Sequence, residues 1–289
     1  MNDLFLKFKS INITGYAGDL FICFSHNSLD ELILQTNETL SALNNWFLEN
    51  GLMLSKEKTQ ILIFRNSTQA GPLIPIMVDN NIIEECSSMN ILGVNVTPQF
   101  DWSNQALHVS KKLNKTCYLI RILRAKMDTN YLLTVYHANF ISHIRYGIQF
   151  WGSSKSLKKI LIIQKRCIRT IFGMTRRQSC REVFVNSELM TVFTLYIFEV
   201  CCHIHKHRND LFSNKLSKHE YSTRSKLKIT LDKNQNKFNK QVNNALKIYN
   251  HLPNNVLHLD FKPFRKHLKK MFKTKCFYSI QEYLQTPFA

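Results

Sequence analysis

The amino-acid sequence predicts an α+β fold, with a small antiparallel sheet and a packed helix in the first third of the chain and an all-α region after it. Residues 1–100 contain short apolar runs that alternate with polar residues and are separated by turn residues, a pattern typical of strands and hairpins. From Trp102 onward, apolar residues recur at helical spacing almost without interruption. The chain has 289 residues, 44% of them hydrophobic, which is enough for two folded domains.

The first region is expected to begin with two strands within residues 4–24, separated by a tight turn that contains Gly18 and Asp19. Ser28 can cap the following helix, whose apolar residues recur every three or four positions, and Gly51 is expected to end it. This helix is predicted to lie across the sheet. Further apolar alternation predicts a strand and a small hairpin layer, at residues 61–64, at Ile74, Ile76 and Val78, and at Ile91, Val94 and Val96.

The second region is predicted to consist of helices, which we place near residues 103–126, 129–149, 155–172 and 188–207. Residues 208–240 are rich in Lys, Asn and Ser and poor in large apolar groups, so we expect a poorly ordered linker. Short helices are expected near 240–250, 262–273 and 279–285. The predicted domains are therefore 1–100, 101–207, 208–240 and a basic helical tail at 241–289.

The charges are distributed unevenly along the chain. Of 39 Lys and Arg and 20 Asp and Glu, residues 1–100 hold only 5 basic and 10 acidic side chains, a balance of −5. Residues 101–289 hold the remaining 34 basic and 10 acidic side chains, a balance of +24. Clustered Lys and Arg gain free energy from counterion release on phosphate backbones, so this region is expected to bind RNA or DNA. A solubilising basic surface is the alternative.

The cysteine pattern and the apolar runs bear on the cellular compartment. The eight cysteines are scattered through apolar segments without a preceding secretory signal, so we expect them to be reduced and buried, with no disulfide framework. The alternation at the start of the chain, with Asp3, favours a strand over a signal peptide. The most apolar run, residues 189–202, contains Glu199 and is short for a membrane span, which favours a buried helix. These features predict an intracellular protein, in the nucleus or cytoplasm, without membrane contact.

Several short motifs follow one another in the first region. Tyr16-Ala17-Gly18-Asp19 lies in the predicted turn, Asn50-Gly51-Leu52 and Lys58-Thr59 follow the predicted helix, and Ile91-Leu92-Gly93 lies in the last hairpin. Their order resembles the palm of a reverse transcriptase from a non-LTR retrotransposon. In that family the turn is a YxDD box, the Lys-Thr follows the palm helix, and the Leu-Gly lies in the hairpin called the primer grip.

The resemblance continues through the helical region to about residue 287. The matching motifs are Phe100-Asp101-Trp102, Ile144-Arg145-Tyr146-Gly147 with Trp151-Gly152, Ile163-Gln164-Lys165-Arg166 with Arg169, Ser179-Cys180-Arg181, Tyr221-Ser222-Thr223-Arg224, Tyr249-Asn250 with Leu252-Pro253, and Tyr278-Ser279. They are similar to the tail of Jockey-like and CR1-like elements. The resemblance implies a partial palm followed by a thumb-like helical region.

The resemblance also implies two-metal chemistry, in which acidic side chains hold two Mg²⁺ ions. The family takes one aspartate from an upstream strand and two from the box. Here Gly18 replaces the first box aspartate and only 15 residues precede Tyr16, so Asp19 is expected to be a remnant of the catalytic metal site that does not retain Mg²⁺. An ordinary turn residue is favoured over a metal ligand at this position. Lys58 matches a family lysine near the departing pyrophosphate, but without metals a solvated lysine is favoured.

The residues expected to contact nucleic acid lie in a hairpin and in a helix. Leu92 and Gly93 match the primer grip, and a core leucine with a turn glycine is compatible with that role. In the predicted helix 155–172, six cations fall within an arc of about 120°, namely Lys155, Lys158, Lys159, Lys165, Arg166 and Arg169. Such a stripe resembles a thumb element that follows the backbone of a primer–template duplex without reading its sequence. A solvated face is the alternative, and residues 262–275 form a second, weaker basic patch.

A cluster of potential zinc ligands occurs near the end of the apolar run. It contains Cys201, Cys202, His203, His205 and His207. Adjacent cysteines on a helix point apart, and no second ligand pair follows at finger-like spacing, so zinc is not expected.

The sequence therefore predicts a fragment of an RNA-directed DNA polymerase from a non-LTR retrotransposon, inactive by itself, that binds an RNA or DNA template and primer duplex without sequence preference. Two alternatives remain open. The chain is one piece of an active reverse transcriptase that an upstream polymerase segment completes, or it is an inert or domesticated interaction fragment.

Overall fold

The structure is a computed structural model that describes residues 3–55, 57–65, 75–78, 81–212, 228–233 and 237–288. The chain forms two compact units, Met1–Met89 and Asn90–Ala289. The predicted α+β class is confirmed, because helices predominate and the described strands form small two-stranded sheets.

The first unit contains a hairpin that packs beside two helices. Helix α1 (Leu4–Lys7) precedes strands β1 (Asn12–Tyr16) and β2 (Asp19–Cys23), which pair antiparallel, and helix α2 (Leu29–Glu49) follows. The predicted strand at residues 4–7 is wrong. These residues are helical because a helical turn brings Leu4 and Phe8, four positions apart, to one face. Both side chains join the core against α2.

Helix α2 has the predicted amphipathic pattern and the predicted end. Its buried face includes Ile33, Leu40, Leu43 and Trp46. After Asn50, Gly51 adopts a left-handed conformation with φ of 66°, and the amide of Leu52 donates to the carbonyl of Phe47 at 2.8 Å. This geometry closes the helix in the way that favours glycine. Ser28 occupies the N-cap position with an extended backbone, and its side chain accepts no capping hydrogen bond.

A small hairpin completes the described part of the first unit. Strands β3 (Met77–Val78) and β4 (Asn81–Ile82) pair antiparallel, and β3 contacts α2, where Asn37 accepts from the amide of Met77 at 2.9 Å. The predicted strand at residues 61–64 is wrong, because within the described residues only Ile61 forms a bridge, to Glu85. Residue 74 lies outside the described residues.

The second unit begins within a third hairpin, formed by β5 (Met89–Ile91) and β6 (Val94–Val96). The division between units falls at residues 89 and 90, whereas the sequence suggested residue 100. The hairpin turn therefore belongs to the same unit as the helices, and Gly147 and Tyr146 contact its residues Val94 and Leu92.

The rest of the second unit is helical. Its elements are α3 (Ser103–Leu123), α4 (Thr129–Val135), a π-helix (Tyr136–Ile141), α5 (Ser142–Arg145), α6 (Ile148–Trp151), α7 (Leu157–Phe172), α8 (Arg181–Asn186), α9 (Val192–Leu211), α10 (Lys237–Asn250), α11 (Asn254–Leu257), α12 (Phe261–Lys273) and α13 (Ile280–Gln285). The single helix predicted at 129–149 is interrupted by the π-helix and by Gly147, which is left-handed with φ of 63°. Of the predicted linker, residues 208–211 and 237–240 are helical, whereas 213–227 and 234–236 lie outside the described residues.

Helix α9 forms the centre of the second unit. Almost every residue from Val192 to Cys202 is buried, and the helix contacts α5, α6, α7, α10 and α12. The prediction of a buried helix in this apolar run is confirmed. No helix among the described residues is long and apolar enough to cross a membrane.

A fully buried glutamine joins three elements of this core. The side-chain amide of Gln164 on α7 donates to the Tyr136 hydroxyl at 2.8 Å and to the Met190 carbonyl at 3.0 Å. Its carbonyl oxygen accepts from the amide of Val192 at 2.8 Å. Gln164 thus ties α7 to the π-helix and satisfies an amide at the start of α9, where the helix itself offers no partner.

Candidate nucleic-acid interface

The hairpin turn that resembles the YxDD box is open to solvent. Ala17 is left-handed with φ of 53°, and Asp19 lies opposite Tyr16 with an exposed carboxylate. A Cβ atom added at Gly18 would meet nothing within 4 Å. Among the described residues, no group of three or more His, Cys, Asp or Glu side chains is placed to hold a metal ion.

Lys58 lies in an exposed turn of the same unit. Its amide donates to the carbonyl of Ser55 at 3.2 Å, and the Thr59 hydroxyl donates to the same carbonyl at 2.9 Å. The Lys58 side chain is exposed, and its ammonium group makes no ion pair with the described residues.

The hairpin turn that resembles a primer grip projects its leucine outward. Leu92 and Gly93 are both left-handed, with φ of 48° and 81°, as in the tight turns that suit a twisted hairpin. The Leu92 side chain is 41% exposed, so the reading as a core leucine is wrong. The Tyr146 hydroxyl donates to the Leu92 carbonyl at 2.5 Å and holds the turn in place. Tyr146 belongs to one of the sequence motifs, but its hydrogen bond to a turn 54 residues away has no signal in the sequence.

The predicted basic stripe of α7 is divided into two parts. Lys155 precedes the helix in a turn, and Lys158 and Lys159 lie in its first turn. All three side chains are exposed and make no ion pair with a residue that the structure describes. Ile162, which is 66% exposed, follows them on the same face and interrupts the cations.

The other three predicted cations of α7 make contacts within the chain. The ammonium of Lys165 lies 3.5 Å from the ring centroid of Tyr278, and burial lowers its pKa. Arg166 donates to the side chain of Asn114 on α3, and Arg169 donates twice to the Gln178 carbonyl, at 2.9 and 3.0 Å. Each of the three has a contact within the chain, but Arg166 stays exposed and Lys165 and Arg169 are half-buried, so their contact with a duplex stays a prediction.

Helix α12 presents a larger set of exposed cations than α7. Its apolar side buries Phe264, Leu268 and Phe272. The cations fall within an arc of about 140° on the other side, namely Lys262, Arg265, Lys266, Lys269, Lys270 and Lys273. The helix contains no acidic residue, and only Lys273 makes an ion pair with a described residue, to Glu188 at 2.6 Å. The patch that sequence analysis ranked second therefore has the more exposed charge.

Three members of the Cys and His cluster on α9, namely Cys201, Cys202 and His205, are buried in the core, whereas His203 is exposed and His207 is half-buried. His205 is buried, its Nδ1 accepts from the Tyr249 hydroxyl at 2.9 Å, and its Nε2 donates to the Leu259 carbonyl at 2.8 Å. Both ring nitrogens are therefore occupied. Burial raises the pKa of the Cys202 thiol to about 12 and raises that of Cys201 well above its usual range.

The eight cysteines are all free thiols, but they are not all buried. Cys23 is exposed on β2 and Cys86 is half-buried, so the prediction that every cysteine is buried is wrong. The side chains in β2 alternate between the two faces of a hairpin, which leaves Cys23 on the face away from α2.

The charge asymmetry coincides with the boundary between the two units. Residues 1–89 hold all 5 basic and 10 acidic side chains of the first region, and residues 90–289 hold the other 34 basic and 10 acidic ones. The second unit thus carries a net charge of +24 and the first a net charge of −5.

Comparison with protein-family models, curated proteins and solved structures found no match for this chain.

Proposed function

We propose that the chain is a fragment of an RNA-directed DNA polymerase from a non-LTR retrotransposon, inactive as a polymerase by itself, that binds RNA and DNA duplexes without sequence preference. The first unit would correspond to a partial palm and the helices of the second unit to a thumb-like region. The polymerase origin rests on the ordered motifs from Tyr16-Ala17-Gly18-Asp19 to Tyr278-Ser279.

The observation that carries the binding proposal is the excess of exposed basic side chains in the described part of the second unit. Exposed lysines at the start of α7 and along α12 make no ion pair with a described residue, Lys273 excepted. Each lysine that meets a phosphate releases condensed counterions, and that gain does not depend on the base sequence. Because a helix rises 1.5 Å per residue, Lys262, Lys266 and Lys270 form a row with steps of about 6 Å.

The inactivity proposal rests on Gly18. Two-metal nucleotidyl transfer needs several carboxylates, and the turn offers Asp19 alone. We expect no primer extension by the purified chain with Mg²⁺, and robust synthesis would overturn this part of the proposal. Because a side chain at Gly18 would meet open space, Gly18→Asp should fold normally. If an upstream segment restores activity only together with Gly18→Asp, the chain is one piece of a polymerase.

A salt titration tests the binding proposal. Fluorescence anisotropy with a short RNA–DNA duplex should give an affinity that falls linearly with salt on logarithmic axes. The double variant Lys266→Ala/Lys270→Ala should reduce the slope by about 2, because roughly 0.9 is lost for each phosphate contact. The matched control is Lys7→Ala/Lys9→Ala, which removes two exposed lysines from the acidic first unit and should leave the slope unchanged.

Two results would contradict the binding proposal. Binding without salt dependence, or no binding, would favour the inert or domesticated fragment. Equal effects of the two double variants would show that net charge matters and that α12 does not.

A further inference from the structure

A cleft of about 490 Å³ lies in the second unit, and no motif or comparison assigns a ligand to it, although its lining residue Arg145 belongs to one of the motifs. The π-helix, the segment from Asn186 to Met190, and the last turns of α12 form its walls. Its volume lies in the usual range for small-molecule sites. The cleft is thus a candidate for a small ligand.

The floor of the cleft is apolar and its rim is cationic. Ile141, Leu189 and Leu195 supply apolar surface, and the last two are buried. The rim carries three cations, and two of them form ion pairs with described residues. Arg145 pairs with Glu199 at 2.6 Å, Lys273 pairs with Glu188 at 2.6 Å, and Lys269 makes no ion pair with any described side chain. One positive charge at the rim therefore lacks a counterion within the described protein.

The backbone is unusual on two sides of this cleft. Three lining residues belong to the π-helix, a form that is rare and that often marks functional sites. Glu188, the partner of Lys273, is left-handed with φ of 51°, a strained conformation for a residue with a side chain. The strained Glu188 thus forms an ion pair with Lys273, one of the two lysines of the cleft.

His137 of the π-helix adds a neutral donor to the rim. Burial lowers its pKa, and the nearby Lys273 and Lys269 lower it further. The ring is therefore uncharged at neutral pH and can donate one hydrogen bond to an anion. Lys269, Lys273 and His137 together offer more positive charge and more donors than a ligand with one carboxylate group needs. They suit a doubly charged oxyanion better.

We propose that this cleft binds a phosphate monoester with an apolar or aromatic body, such as a nucleoside monophosphate. The phosphate lies between Lys269 and Lys273 and displaces the Glu188 carboxylate, and the organic body packs on the apolar floor. The ligand is either a free nucleotide or the phosphorylated end of a nucleic-acid strand, which share this chemistry. The site goes beyond the proposed duplex binding, since free-nucleotide binding does not require that function.

Calorimetric titration of the full chain with AMP, inorganic phosphate and adenosine tests the proposal. AMP should bind more tightly than either of its parts, because only AMP reaches both rim and floor. Lys269→Ala should weaken AMP binding by about tenfold, which corresponds to roughly 1.4 kcal/mol. The control Lys270→Ala removes the neighbouring exposed lysine, which does not line the cleft, and should change the affinity by less than about twofold.

A second variant separates a binding effect from a folding defect. Glu188→Gln removes the carboxylate that competes for Lys273, so AMP should bind about three- to tenfold more tightly. A misfolded chain would not gain affinity. The proposal is overturned if AMP does not bind, if Lys269→Ala and Lys270→Ala lose affinity equally, or if Glu188→Gln weakens binding.

Competition with oligonucleotides distinguishes the two sources of the ligand. If a 5′-phosphorylated strand displaces AMP and the matching 5′-hydroxyl strand does not, the cleft takes strand ends. If neither displaces AMP, the cleft takes free nucleotides. Equal displacement by both would count against recognition of a phosphate monoester. If Lys266→Ala/Lys270→Ala loses duplex binding but still binds AMP, duplex binding and AMP binding are independent activities.

Discussion

Replacing Gln164 by leucine tests whether this glutamine fastens the core of the second unit. The residue is fully buried and makes three hydrogen bonds, to Tyr136, Met190 and Val192. Leucine has a similar size, so little packing volume changes. Three bonds are lost at about 1 kcal/mol each, and the stranded Val192 amide costs a further 1–3 kcal/mol or so. Because leucine exposes only apolar atoms where glutamine has a polar amide, its burial returns about 1–2 kcal/mol.

The expected net loss is therefore about 3 kcal/mol in the free energy of unfolding. Urea unfolding followed by far-ultraviolet circular dichroism measures it. The control is Gln281→Leu, at an exposed position of α13, which should stay within about 0.5 kcal/mol of the parent. A loss below about 1 kcal/mol for Gln164→Leu would refute the reasoning, because water or a shifted side chain must then satisfy the Val192 amide.

Two further predictions concern titration and thiol reactivity. Burial lowers the pKa of His205 below the value of 6.5 expected in the unfolded chain. As the pH drops below 6.5, the unfolded chain therefore binds a proton that the folded chain does not, and the free energy of unfolding should fall. Urea titrations across this range should show a shallower fall in His205→Gln, and an unchanged slope would argue against a neutral buried ring. Cys23 should give the fastest reaction with a thiol reagent, whereas Cys201 should react only on unfolding. Cys23→Ser should remove the fast phase, and its persistence would show that another thiol is accessible.

Elements defined by neighbouring residues could be predicted from the sequence. The β1–β2 turn and the end of α2 at Gly51 depend on local backbone chemistry that a few residues specify. Elements that depend on distant partners could not. The helix at residues 4–7 places Leu4 and the following Phe8 in the core with α2 and leaves Phe5 and Leu6 exposed. Among residues 61–64, Ile61 forms a single bridge, to Glu85.

The candidate interface shows the same limit. A helical wheel gives the direction of each cation on α7 but not what it meets there. Lys165, Arg166 and Arg169 meet Tyr278, Asn114 and Gln178, and only the last of these is near in sequence. Helix α12 could be recognised from its spacing, but the cleft beside it combines three distant segments and left no local signal.

The central position of α9 has a consequence for any shortened form of the chain. Its histidine His205 lies face to face with Phe264 of α12, with ring centroids 3.7 Å apart, and α10 covers another side. Deleting residues 237–288 would bare an apolar helix in the middle of the unit and strip His205 of both its hydrogen-bond partners. The segment that looks like a tail in the sequence therefore covers the core of the second unit. A protein that ends before this segment should aggregate.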